Sequence, residues 1–186
     1  MSLVVVGIGD CRATNDQDAV LVTYALGSCI GLMVHDPVTR VGGLLHFMLP
    51  ESAVSPEKAY DRPGMFADTG VPLLLRSVLE RGADMHRLKV WAAGGAQLMD
   101  ENGFFNIGKR NCLAVRKLLW KAGLLAQVEE FGGNLSRGLR LQVGAGRAWM
   151  REGDTAEREM VVTPKRVPLV DLLRRESRHG VECSDR

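Results

Sequence analysis

The sequence predicts an α+β fold, a sheet core with helices against one face, from three observations. Short β-branched runs crowd the first half of the chain, and two longer stretches carry helical periodicity. The 21 glycines in 186 residues demand many turns and leave little scope for an all-helical structure. Hydrophobic residues make up 46%, enough to fill a core, and the length suits one ordinary domain with a short appendage.

Residues 4–8, 20–24, 30–35 and 41–48 read as strands because β-branched and aliphatic residues dominate each run. Between the third and fourth lies Asp36-Pro37-Val38-Thr39-Arg40, a turn-type sequence that predicts a hairpin. Residues 56–62 look like a surface loop. A helix is expected from Pro63 to Gly82, with Met65, Leu73, Leu74, Val78 and Leu79 on its apolar side. Residues 88–93 read as a buried strand ending in Gly94-Gly95. A second helix is expected after Asn106, a good N-cap, running to about Gly123 and burying Ile107, Val115, Leu118 and Leu119. Three short strands follow, over 124–129, 137–143 and 147–151, the last two joined by Gly144-Ala145-Gly146.

The composition shifts near residue 150. Residues 147–186 hold nine Lys/Arg and eight Asp/Glu, so 17 of 40 are charged against 25% for the whole chain. A domain over 1–155 with a charged extension over 156–186 is therefore expected, the latter carrying a short amphipathic helix over 168–179 around Val170, Leu172 and Leu173.

The formal charge of +2, from 24 Lys+Arg against 22 Asp+Glu, argues against a chain built to hold nucleic acid or an anionic membrane. The N-terminus MSLVVVGIGD lacks a basic n-region, and no stretch approaches the roughly 20 apolar residues that span a bilayer. A cytoplasmic protein without membrane insertion is the expectation. Cys11, Cys29, Cys112 and Cys183 are scattered, without CxxC or zinc-finger spacing, so thiols are expected rather than a disulfide framework or a metal site.

One of those thiols stands out by position. In Thr23-Tyr24-Ala25-Leu26-Gly27-Ser28-Cys29 a strand ends in a small-residue turn with cysteine at its exit. Gly27 and Ser28 would let backbone N–H groups gather beside the sulfur, where they can bind an oxyanion. Seventeen residues on, His46 lies in Gly42-Gly43-Leu44-Leu45-His46-Phe47-Met48-Leu49-Pro50. A hairpin between the two strands brings Cys29 and His46 to one rim, where an imidazole can activate a thiol. Thr23 leads the loop and could orient the imidazole. Spacing alone leaves the bland alternatives open: a cysteine as a small buried hydrophobe and a histidine satisfied in a core. His35 reads as a strand-end surface residue, His86 and His179 as unpartnered, and Cys112 as a packed helical thiol. The glycine pairs at Gly94 and Gly132 fit neither a P-loop nor a dinucleotide fingerprint and read as turns.

The run T-Y-A-L-G-S-C followed by G-G-L-L-H-F-M-L-P resembles the catalytic core of the CheD family, the chemoreceptor glutamine deamidases. Gly94-Gly95-Ala96, Ile107-Gly108-Lys109-Arg110-Asn111 and Gly132-Gly133-Asn134 with Arg137 follow in the same order, so the resemblance covers residues 1–150. It implies an α/β/β layered sandwich shared with some deamidating toxins. It also implies Cys29 as nucleophile, His46 as base, Thr23 as orienting residue, and Asn111 and Arg137 as loop support or substrate contacts. Ala25 stands where the family usually has glycine, and Ser136 replaces a common glycine. If Ala25 adopts φ > 0, the loop is strained.

The activity this resemblance implies is hydrolysis of receptor glutamine side chains to glutamate through a thioester, without metal or organic cofactor. Glutamate methyl-ester cleavage is allowed as a side reaction. The implied partners are cytoplasmic domains of methyl-accepting chemoreceptors, as substrate, and a CheC-type chemotaxis phosphatase. A regulatory partner of that phosphatase, with catalysis secondary, is the alternative.

Overall fold

A computed structural model describes residues 1–97 and 106–162. The strands are β1 (Ser2–Val5), β2 (Cys11–Thr14), β3 (Ala19–Leu26), β4 (Ile30–Asp36), β5 (Val41–Phe47), β6 (Lys89–Gly94), β7 (Val128–Phe131), β8 (Arg137–Gln142), β9 (Arg147–Glu152) and β10 (Arg158–Glu159). The helices are α1 (Pro56–Asp61), α2 (Ala67–Leu79) and α3 (Ile107–Lys121). Strands in the order β1-β3-β8-β9-β10 form one sheet and β2-β5-β4-β6-β7 the other. Two pairs, β1 with β3 and β6 with β7, are parallel, and the rest are antiparallel.

Two apolar cores hold three layers together. Between the sheets lie Leu21, Leu26, Met33, Leu44, Trp91, Leu139, Leu141 and Met150, with Cys29 among them. On the far face of the second sheet, Leu32, Leu45, Phe47 and Val90 pack under Val71, Leu74 and Val78 of α2 and Val115 and Leu119 of α3. The result is the expected α/β/β sandwich. Strands β4 and β5 are buried on both faces, which is why they read as continuous apolar runs instead of alternating ones.

The predicted hairpin forms in the register Ile30↔Phe47, Gly31↔His46 and Asp36↔Val41. Asp36 locks its turn: Oδ1 accepts from the Val38 N–H at 2.8 Å, and the carboxylate pairs with Arg87 at 2.7 Å.

Several expectations shift. Residues 56–62 are not a loop: Pro56 opens the six-residue α1. The helix expected from Pro63 starts as a 3-10 turn, Pro63–Met65, and α2 begins only at Ala67. Phe66 breaks it in extended conformation because its buried ring and its bridge to Leu49 anchor it. Strand β2 was missed because a four-residue edge strand shows too little alternation to read, and β10 has only two residues. Helix α3 buries Gly108, Asn111, Cys112, Val115 and Leu119, a face rotated from the expected one that leaves Ile107 and Leu118 half-buried. Asn106 takes the N-cap position in left-handed conformation without a side-chain cap bond. His35 is buried, not at the surface, and its Nε2 donates to the Val143 carbonyl at 2.9 Å, joining the sheets.

Residues 157–160 also pack on the first sheet. Glu157 and Glu159 pair with Arg140 and Arg147, whose guanidinium groups lie over the Trp149 ring. Met160 is buried and accepts from the Trp91 indole N–H at 2.8 Å. The helix expected over 168–179, with His179, and Cys183 lie outside the described residues.

Candidate active site

The β3–β4 loop begins in a bulge. Thr23 pairs with Leu139 but Leu26 with Arg137, so the ladder skips Tyr24 and Ala25. Ala25 sits at φ +57, which costs an L-residue about 1–2 kcal/mol, so the strain anticipated at this position is present. Fully buried Leu26 pins the loop before Gly27, Ser28 and Cys29 lead into β4.

Register then sets the pairing of functional groups. Gly31 lies opposite His46, and Cys29, two residues earlier, shares the sheet face of His46 as a diagonal neighbour. That face looks into the gap between the sheets, where Cys29 is packed and 8% exposed. From the opposite sheet, the Thr23 Oγ1 lies 2.8 Å from His46 Nδ1. Both residues are buried, so this bond joins the two sheets at the thiol. With the proton on Nδ1, donated to Thr23, Nε2 keeps its lone pair. Nε2 is buried and has no hydrogen-bond partner, Cys29 included. The backbone of His46 is fixed by Asp10, whose carbonyl accepts its N–H at 3.0 Å, and by the Gly9 N–H at 2.7 Å.

Burial governs the protonation states. It pulls His46 down to about 4, weakly opposed by the Asp10 charge, and it pushes the Cys29 thiol above its usual range. The resting pair is therefore neutral thiol and neutral imidazole.

Two outlying residues brace this loop. Asn111 on α3 is fully buried, and its Nδ2 donates to the carbonyls of Ser28 at 2.9 Å and Met48 at 2.8 Å. Arg137 donates to the Gly132 carbonyl at 2.7 Å, reaches the Gly94 carbonyl at 3.4 Å, and pairs with Glu152 at 2.6 Å. Gly94 and Gly95 have positive φ, as turns require. The Gly27 N–H, expected beside the sulfur, instead donates to the Ala25 carbonyl at 3.0 Å. Asn111 was expected only as loop support or a substrate contact, and its two hydrogen-bond partners were not legible in the sequence. Its signal was an amide side chain on a helix face otherwise made of glycine, cysteine and aliphatics. Among the described residues, no three His, Cys, Asp or Glu side chains gather as a metal site.

Two predictions follow from the buried pair. Thr23→Val keeps the shape but strips Nδ1 of its partner, an unsatisfied polar group worth about 1–3 kcal/mol. Chemical denaturation is expected to show that loss, and an unchanged midpoint would mean that the bond is not formed. The second concerns acid. Between pH about 6.5 and 4, unfolded His46 takes up a proton that folded His46 refuses. Stability therefore falls as pH drops through that window, by roughly 3 kcal/mol in total. His35, also pulled down by burial, contributes in the same direction, so the test is the difference between wild type and His46→Gln in urea melts across pH 4–7. Parallel curves would refute it.

No helix among the described residues is long and apolar enough to cross a membrane. The family described as CheD chemotactic sensory transduction matches residues 48–152. The chain is 52% identical over 152 residues to a probable chemoreceptor glutamine deamidase CheD of Solibacter usitatus (strain Ellin6076), covering 82% of this chain and 90% of that protein. It is 51% identical over 154 residues to a protein described as probable chemoreceptor glutamine deamidase CheD 2, from Anaeromyxobacter dehalogenans (strain 2CP-C), covering 83% and 97%. It is 43% identical over 160 residues to probable chemoreceptor glutamine deamidase CheD 1 of Syntrophus aciditrophicus (strain SB), covering 86% and 100%.

Proposed function

Because the chain belongs to the CheD family, we propose that it is a protein-glutamine deamidase that converts glutamine side chains on chemoreceptor cytoplasmic domains into glutamate. Cys29 is the nucleophile, His46 the base and Thr23 the residue that orients His46. The observation that carries this reading is the buried Thr23–His46 bond, which fixes the imidazole on the face of Cys29 with Nε2 unpartnered.

Nε2 accepts the Cys29 proton as sulfur attacks the side-chain carbonyl carbon, and the oxyanion meets the Ser28 and Cys29 amides. Imidazolium returns the proton to the amide nitrogen, so ammonia leaves and a thioester remains; an unprotonated amide anion is too basic to depart. Water then loses a proton to His46 and attacks the thioester. Collapse frees glutamate, and the thiolate recovers the proton. None of these steps calls for a metal or organic cofactor. A glutamate methyl ester fits the same sequence, with methanol as the easier leaving group.

The protein acts in the cytoplasm, where its substrates' domains lie. The regulatory alternative, binding a CheC-type phosphatase with catalysis secondary, gives no physical reason for a desolvated threonine–histidine pair beside a thiol. A phosphatase partner of an active enzyme is compatible with both. The test is incubation with purified receptor cytoplasmic domains and peptide mass spectrometry. Site-specific gains of about one mass unit at glutamines are expected, and their absence overturns the reading.

A further inference from the structure

Three consecutive carbonyls of the nucleophile loop are held by the β6 exit and α3. Gly27 accepts from the Ala96 N–H at 2.8 Å, Ser28 from Asn111 Nδ2 at 2.9 Å, and Cys29 from the Gly95 N–H at 2.9 Å. In a planar trans peptide, each C=O points opposite to the N–H of the next residue. Holding the Gly27 and Ser28 carbonyls therefore turns the Ser28 and Cys29 N–H groups away from β6 and α3. Successive N–H groups turned together form an anion-binding concavity.

Two of the three ties are backbone to backbone, and only the tie at Ser28, the carbonyl paired with the Cys29 N–H, depends on a side chain. The same amide reaches the Met48 carbonyl at 2.8 Å, two residues past His46. With both Nδ2 contacts on carbonyl oxygens, the amide orientation is fixed. Its Oδ1 is buried without a partner, a desolvation cost that an apolar residue on this helix face would avoid. Its donors are the reason for its presence.

We infer that Asn111 is a positioning residue: its two hydrogen bonds aim the Cys29 N–H at the sulfur and the oxyanion, and set the spacing between the nucleophile loop and the His46 strand. Fully buried, it does not touch substrate. This inference rests on the proposed hydrolysis for its activity arm only.

The test compares wild type with Asn111→Leu and Asn111→Gln. Iodoacetamide alkylation of the Cys29 peptide is followed against pH by mass spectrometry, beside kcat and KM for glutamine conversion and thermal melts. Asn111→Leu is expected to shift the Cys29 alkylation profile to higher pH and to lower kcat about 100-fold with KM within about twofold, the cost of a misplaced reacting group. Asn111→Gln, which keeps the amide, is expected to recover part of both. If Asn111→Leu does not fold, Asn111→Ala removes the donors without adding bulk or charge and carries the same expectation. A folded donorless variant with wild-type alkylation and kcat overturns the inference, as does a loss confined to melting temperature. If wild type converts no glutamine, the proposed function falls, and the alkylation arm still decides the role of Asn111.

Discussion

Replacing Cys29 by serine is expected to stop glutamine conversion as completely as replacing it by alanine, at least about 10⁴-fold in kcat, with the fold retained. The equivalence of the two variants is the informative part. His46, pulled down to about 4 by burial, is a weak base. It can take a proton from a thiol during attack, even one pushed up by burial, because sulfur carries the charge well. A serine hydroxyl is far less acidic, and the same imidazole cannot activate it. Cys29 is 8% exposed in a packed gap, so loss of one sulfur atom leaves the surrounding apolar contacts in place. The measurement is conversion of a receptor cytoplasmic domain by mass spectrometry, with thermal melts to confirm folding. Conversion by Cys29→Ala at the wild-type rate would remove the thioester mechanism. Activity in Cys29→Ser alone would mean that His46 is a stronger base in the complex than its burial implies.

The hairpin was legible because its information is local. Two apolar runs flanked a turn sequence, and pairing them put Cys29 and His46 at one end without reference to the rest of the chain. The third member was legible only as a candidate. Thr23 lies on the other sheet, and its bond to His46 depends on how two sheets stack, which no local pattern encodes. The same limit explains His35 and Asn111. Each is a polar residue in an apolar setting, and its carbonyl partners lie in distant segments: Val143 for His35, Ser28 and Met48 for Asn111. The edge strands were lost for a different reason. Strand β2 pairs on one side only, with β5, and its four residues, half-buried apart from exposed Arg12, leave no periodic trace. The ordered motif blocks carried more than their separate specificity because the fold gathers them around one loop. Gly94, Gly95, Ala96, Asn111 and Arg137 all hold that loop or the turns that abut it.

Gly94→Ala is expected to be the most damaging substitution of a residue outside the reacting groups. Gly94 sits at φ +124, where side chains are rarely tolerated. A Cβ there would lie 2.1 Å from the Cys29 carbonyl oxygen, just before β4, and 3.2 Å from the Cα of Ile30, the β4 residue paired with Gly94. Neither side can yield cheaply. The Cys29 carbonyl is bonded to the Gly95 N–H, and the Gly94 carbonyl accepts from the Gly132 N–H at 3.0 Å and faces Arg137. Backbone strain and overpacking together predict a loss of about 3 kcal/mol or more, or roughly 6–12 °C in melting temperature for a chain of this size. Relief by displacement would move Cys29 itself, so a folded fraction is expected to lose about 100-fold in kcat. Gly82→Ala separates the causes. Gly82 also has positive φ, at +92, but nothing lies within 4 Å of its added Cβ. It is expected to lose stability through strain alone and to keep wild-type turnover. Equal melting temperatures and equal kcat for the two variants would show that the approach of Gly94 to the Cys29 carbonyl does not constrain the site.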